Sequence, residues 1–216
     1  MSAMPRSILI LGNGPWHGVE FLPDLLAEAD YIIAADGGAA RALRLGLRPQ
    51  LVVGDLDSLG PDEREALTRS GLAVMAHPAE KDQTDLELAL DRAISLGPER
   101  IVLFGVLGAR LDQSLVNIFL LEKAARAGVA AQILAGRERI WLVPNRLELA
   151  GAEPGELVSL LPLSEEVEGV QTWGLRYPLR GERLTRASSR GISNEVTALP
   201  AGVELKGGLL LVIHRR

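Results

Sequence analysis

The stretch Leu51-Val52-Val53-Gly54-Asp55-Leu56-Asp57-Ser58 runs three apolar residues into a glycine and then presents two carboxylates one residue apart. Two acids close together raise the cost of ionising both. In an extended chain residues i and i+2 share a face, so Asp55 and Asp57 point to one place. Two readings follow. The pair sits in a solvated loop, or it shares a hard cation such as Mg²⁺, which takes oxygen ligands and bridges carboxylate to phosphate. The choice depends on what the rest of the chain sends to the same edge.

Similar apolar runs occur at 8–11, 31–35, 73–75, 101–104 and 131–134. They are apolar throughout rather than alternating, the pattern of parallel strands covered on both faces. Between them lie "AARALRLG", "LELALDRAISLG" and "SLVNIFLLEKAARAG", each with apolar residues at three-to-four spacing and a glycine stop. Strand and helix in alternation predict an α/β fold: a three-layer, mostly parallel, Rossmann-like sheet over residues 1–137. From 138 to 216 the segments shorten to "RIWLVP", "LELAG", "LVSLLPL", "GVQTWGLRYPL", "RLTRASS", "ISNEVTAL", "GVELKG" and "GLLLVIHRR". Gly, Pro, Asn or Ser separate them, and this spacing predicts a smaller all-β sandwich domain.

The chain has 216 residues, 47% of them hydrophobic, enough for a substantial core. A net charge of −5 argues against a general nucleic-acid binder. The absence of cysteine excludes disulfides, thiolate metal sites and cysteine nucleophiles. The opening apolar run is too short for a signal h-region or a spanning helix, so the expectation is a cytoplasmic protein with no membrane partner.

In parallel α/β sheets ligands bind at the carboxyl ends of the strands. Four polar clusters leave strands at that edge: Asp36-Gly37-Gly38, the Asp55/Asp57 pair, "KDQTD" with Lys81, Asp82, Gln83 and Asp85, and "GVLGARLDQS" with Gly105, Gly108, Arg110 and Asp112. Each has a structural alternative. Asp36-Gly37-Gly38 suits a turn and helix start. Thr84 and Glu87 form a capping-box pattern with Asp85 beside the helix dipole, which leaves Lys81 and Asp82 without a role. Asp112 suits a helix cap, while Arg110 suits phosphate oxygens. No Walker A pattern and no G-x-S-x-G elbow is present. "GNGPWHG" has His17 where a dinucleotide fingerprint needs its third glycine, and His17, His77 and His214 show no zinc-ligand spacing.

The ordered set "ADGGAARAL", "VVGDLDSL", "HPAEKDQTDLELAL", "GVLGARLDQSLVN", "TWGLRYPL" and "SSRGISNEV" resembles the thiamine pyrophosphokinase family from about residue 30 to the end. The resemblance implies transfer of a diphosphate group from ATP to thiamine, giving thiamine diphosphate and AMP, with Mg²⁺. It implies a homodimer with the active site at the subunit interface. It implies that Asp55, Asp57 and Asp82 are the catalytic, metal-binding acids, that Asp36 shapes their pocket, and that Lys81, Gln83, Arg110 and Asp112 contact nucleotide or phosphates. Thr172, Ser193 and Asn194 would line the thiamine site. The chain departs from the family's G-G-R-x-D-H at Ala109 and Gln113, and Trp173 stands where a small or basic residue is common, either stacked on a ligand ring or packed in the core. The alternatives are a non-catalytic nucleotide or thiamine sensor, and a metal-dependent phosphotransferase or phosphohydrolase acting on another substrate.

Overall fold

The computed structural model describes residues 4–56, 60–78, 80–108, 110–143 and 145–216; Asp57 and Ala109 lie outside the described residues. The chain divides into two compact units, Met1–Gly136 and Arg137–Arg216.

The first unit alternates strand and helix: β1 (Ser7–Leu11), α1 (Leu22–Glu28), β2 (Tyr31–Ala35), α2 (Gly38–Arg44), β3 (Leu51–Gly54), α3 (Pro61–Ser70), β4 (Ala73–Ala76), α4 (Asp85–Ser95), β5 (Arg100–Phe104), α5 (Leu111–Phe119), α6 (Leu121–Arg126) and β6 (Ala130–Ala135). Its strands pair in the order β6-β5-β1-β2-β3-β4, all parallel. The chain winds outward from β1 to β4, then returns to the other side of β1 for β5. The crevice of the sheet therefore opens where the loops after β1 and β5 diverge.

Side-chain parity explains the layering. Leu9, Leu11, Ala34, Val52, Val102, Phe104 and Leu134 join Ala39, Ala40 and Ala42 of α2 in one apolar core. Ile8, Ile10, Ile33, Val53, Ile101, Leu103 and Ile133, of opposite parity, are equally buried. Against β1, β2 and β3 packs α4, whose Leu86, Ala89, Leu90 and Ala93 are buried. Each fully buried Val, Leu, Ile or Phe among them contributes roughly 1.5–3 kcal/mol by leaving water. The strand β4 departs from the expected two-sided burial. Among the described residues it pairs only with β3, and as an edge strand it leaves Val74 43% exposed. The segment expected as one helix after β5 is split at Leu120, where a tight turn joins Lys123 N–H to the Leu120 carbonyl at 3.0 Å.

The second unit holds β7 (Glu138–Val143), β8 (Arg146–Glu148), β9 (Leu157–Pro162), β10 (Glu166–Trp173), β11 (Arg180–Thr185), β12 (Asn194–Glu195), β13 (Gly202–Glu204) and β14 (Leu210–Arg215). They form two antiparallel sets, β12-β9-β14-β7 and β11-β10-β13-β8. Val158, Leu160, Leu210 and Val212 of one set and Val167, Val170, Leu184 and Val203 of the other share one core. A register shift in β10 between Val167 and Val170 reverses the alternation, so that Thr172 faces inward and is 6% exposed.

Candidate active site

Gly54 ends β3 with φ +148°, and a Cβ there would lie 3.1 Å from Asp85 Cγ and 3.3 Å from Asp36 Cα. The glycine is what lets three strand exits converge. Asp36 leaves β2 in the left-handed region at φ 47°, its N–H bound to the Val53 carbonyl at 2.8 Å and its own carbonyl accepting from Ala39 N at 3.0 Å. Leu56, after Asp55, also has positive φ, 61°. Such backbone costs energy in non-glycine residues and is concentrated at functional sites.

Carboxylate oxygens of Asp36, Asp55 and Asp85 lie within 4.8 Å of one another, and all three residues are half-buried. The Lys81 ammonium sits among them, 3.2 Å from Asp55 Oδ2 and 2.9 Å from Asp85 Oδ1. Desolvation pulls the Lys81 pKa down, but hydrogen bonds to Asp85 and Asp55 outweigh it and hold the group above the ordinary lysine value. Asp85 Oδ1 is buried, with the Lys81 ammonium as its ion-pair partner. Ligands of an octahedral Mg²⁺ lie at about 2.1 Å, which separates neighbouring oxygens by roughly 3 Å and opposite ones by about 4 Å. Three half-buried carboxylates within that reach fit such an ion.

These groups line a cleft of about 750 Å³ with Gly12, Asn13, Gln83, Gly105, Arg110, Asp112 and Gln113. That volume is typical of small-ligand sites. Gly12 and Gly14 face it because the loops after β1 and β5 touch: Gly12 N–H reaches the Phe104 carbonyl at 2.8 Å, and a Cβ on Gly12 would come within 2.6 Å of the Gly105 carbonyl. Arg110 donates to both Asp112 oxygens, at 3.2 and 2.5 Å, and both side chains are 65% exposed. Arg110 and the backbone N–H of Gln113 hold the Asp112 carboxyl below its usual range. Gln83 donates to Glu87 and Asp91 of α4.

Of the acids read from the sequence, Asp36 and Asp55 meet in the cleft. Asp82 is exposed and is not among the cleft-lining residues. Asp85 occupies the third corner. The sequence reading left it to the helix dipole because it opens α4 directly after the Thr84 cap, whose Oγ1 accepts from Glu87 N at 3.2 Å. The missed signal was its spacing from Lys81, four residues earlier.

In the second unit, Arg176, Tyr177, Ser189, Arg190 and Asn194 line a cavity of about 470 Å³. The Asn194 amide is spent on backbone: Oδ1 accepts from Tyr177 N at 3.0 Å and Glu195 N at 2.9 Å, and Nδ2 donates to the Tyr177 carbonyl at 2.7 Å. Thr172 Oγ1 accepts from Leu179 N at 2.8 Å. Neither Thr172 nor Ser193, whose φ is 55°, is among the lining residues. The Trp173 ring is capped by the Arg146 guanidinium 4.5 Å from its centroid and packs toward Gly202, which accounts for it structurally.

The first unit is thus a parallel α/β sheet with an acid-lined cleft at its switch point, the edge at which such sheets bind ligands, and the second is an antiparallel unit with its own cavity. Residues 22–133 match the family model described as "Thiamin pyrophosphokinase, catalytic domain", and residues 145–210 match "Thiamin pyrophosphokinase, vitamin B1 binding domain". The chain belongs to the thiamine pyrophosphokinase family. The thiamine pyrophosphokinase of Bacillus subtilis (strain 168) is 31% identical over 97% of this chain and 98% of its own length. A crystal structure of the Bacillus subtilis enzyme superposes with a TM-score of 0.86 at 32% identity, covering 97% of this chain and 98% of that one. The thiamin pyrophosphokinase of Geobacillus thermodenitrificans superposes at 0.83, also 32% identical, with 97% of each chain covered.

Proposed function

We propose that the chain transfers the diphosphate group of ATP to the hydroxyl of thiamine, releasing AMP. The observation that carries this reading is the Asp36/Asp55/Asp85 cluster at the switch point of a unit that matches the family's catalytic domain. Those three carboxylates would hold Mg²⁺, joined by Asp57, one residue beyond Leu56. Bound there, the ion would supply charge neutralisation on phosphate oxygens. Lys81 offsets charge at the same place, and Arg110 offers a guanidinium at the rim, with Asp112 fixing its orientation. The thiamine oxygen forms a bond to the β-phosphorus, the bond from that phosphorus to the α–β bridging oxygen breaks, and AMP departs with the electron pair. The hydroxyl proton leaves to solvent or to a carboxylate. Phosphoryl transfer depends chiefly on this positioning and electrostatic support.

The first unit is read as a three-layer Rossmann-like domain and the second as a β-sandwich that takes up thiamine, its cavity formed by Tyr177 and Asn194. A homodimer fits the surface of α5, a helix with no buried residue, whose Leu111, Leu115 and Phe119 are 72%, 44% and 51% exposed at successive i+4 positions. Among the described residues no helix is long and apolar enough to cross a membrane, and a cytoplasmic location is consistent with that. Incubating the purified chain with ATP, thiamine and Mg²⁺ and weighing the products tests the proposal. AMP with thiamine diphosphate supports it; ADP with thiamine monophosphate replaces it with a simple kinase, and ADP with inorganic phosphate and unchanged thiamine replaces it with a hydrolase.

A further inference from the structure

Gln83 lines the acid-bearing cleft, and both hydrogens of its amide are committed away from it. Nε2 lies 3.1 Å from Glu87 Oε1 and 3.0 Å from Asp91 Oδ2. Ionised carboxylates only accept, so the amide has one permitted orientation, with nitrogen toward the two acids and oxygen away from them. The acids are in turn held by Lys123 of α6, whose ammonium is 2.8 Å from Glu87 Oε1 and 2.7 Å from Asp91 Oδ1. Lys123, first among its effects, holds the Glu87 carboxyl below its usual range, and Gln83 adds to this. The four groups form a closed, half-buried set, one cation between two carboxylates and an amide, in which each member fixes the next. The Gln83 oxygen takes no part in the bonds to Glu87 and Asp91, which both run through its nitrogen. Leu86 and Val116 supply apolar wall to the same cleft.

We propose that Gln83 is a specificity residue, reading an exocyclic amino group on a heteroaromatic ring through its oxygen, and that Lys123 is the positioning residue that orients it. The inference rests on the proposed function for its choice of ligands. A ring needs apolar wall and an acceptor at its amino edge, and the cleft provides both. Two ligands carry that chemistry: the adenine of ATP and the aminopyrimidine of thiamine. An oxo group in the same position turns an acceptor toward an acceptor, and the unpaired contact costs the rejected ligand affinity.

Calorimetric dissociation constants separate the two sources without requiring turnover. ATP is compared with inosine triphosphate, and thiamine with its 4-oxo analogue, on the full chain with Mg²⁺. The wild-type protein is expected to prefer the amino form in one pair by about tenfold or more. Lys123→Met is expected to abolish that preference, Lys123→Arg to keep it, and Gln83→Leu, which leaves Lys123 in place, to abolish it independently. A preference unchanged within twofold in both Lys123→Met and Gln83→Leu, each folded by thermal melt, overturns the proposal. So does a wild-type protein with no preference in either pair. Failure of diphosphate transfer in the product assay, with the binding preference intact, would instead count against the proposed function alone.

Discussion

The Lys81 ammonium and the Asp85 carboxylate, four residues apart in sequence, meet at 2.9 Å inside the acid cluster, with side chains only 15% and 18% exposed. The lysine stands where a divalent ion would compete for the same oxygens. Replacing it with methionine leaves Asp36, Asp55 and Asp85 facing one another without their internal cation. Loss of one partner from a partly buried pair costs about 1–3 kcal/mol, or on the order of 3–10 °C in Tm for a chain of this size. Lys81→Met is expected to lower the metal-free Tm by an amount in that range and to show a larger stabilisation by Mg²⁺ than the parent. Thermal melts with and without Mg²⁺ check this; equal Mg²⁺ shifts in the two proteins would remove the competition.

Gly54→Ala tests the convergence itself. The added Cβ falls between Asp85 and Asp36, at a φ of +148° that side chains rarely adopt. The expected outcome is a loss of about 1–3 kcal/mol in stability together with a fall in turnover larger than any change in nucleotide affinity, because the acids are pushed apart while the rim remains. A variant that melts lower yet turns over normally would show that the spacing of the acids is not needed.

Asp85 and Asp82 are three residues apart in sequence and differ in placement, the first in the cluster and the second exposed. Asp85→Asn is expected to reduce kcat by roughly 10²-fold or more, as loss of a preorganised charge does, and to weaken Mg²⁺ binding. Asp82→Asn is expected to cost less on both measures. Steady-state kinetics and metal titration on the pair decide which acid belongs to the site.

Most of the first unit's strands could be read directly, because runs such as Tyr31–Ala35 need two covered faces and so are apolar at every position. The limits of that reading are physical. β4 has the same composition as its neighbours, yet lies at an edge, a property of topology rather than of local pattern. The register shift in β10 is equally silent in sequence, and it decides that Thr172 points into the core. Asp36 and Asp55 announced themselves by following buried strands. Asp85 did not, since the same residue also satisfies the local demands of a helix start, and the two roles look alike until Gly54 is seen beside it.

The proposed homodimer has a direct test at Phe119, 51% exposed at the end of the α5 stripe. A charge there reaches solvent in a monomer and must be desolvated in an interface that covers the helix. Phe119→Asp is expected to shift sedimentation from dimer to monomer while leaving the far-ultraviolet spectrum unchanged. A wild-type protein that sediments as a monomer at all concentrations would refute the dimer.

His214 gives the second unit a pH dependence of definite sign. The imidazole on β14 is 1% exposed, its Nε2 lies 2.7 Å from Glu156 Oε2, and its ring stacks on Trp141 with centroids 6.4 Å apart. Burial is the largest influence and pushes its pKa below the ordinary value; the Glu156 hydrogen bond opposes this in part, while Arg216 and Arg139 add to the depression. The folded chain therefore takes up this proton less readily than the unfolded chain. Stability from this group is complete above the unfolded pKa of about 6.5 and drains away as pH falls through the depressed folded value. Melts followed by tryptophan fluorescence, which senses Trp141, should show Tm falling from pH 7.5 to pH 5. His214→Gln is expected to start lower at pH 7.5, having lost the packed ring, and to fall less steeply over the same interval. Parallel slopes in the two proteins would assign the acid sensitivity to other groups.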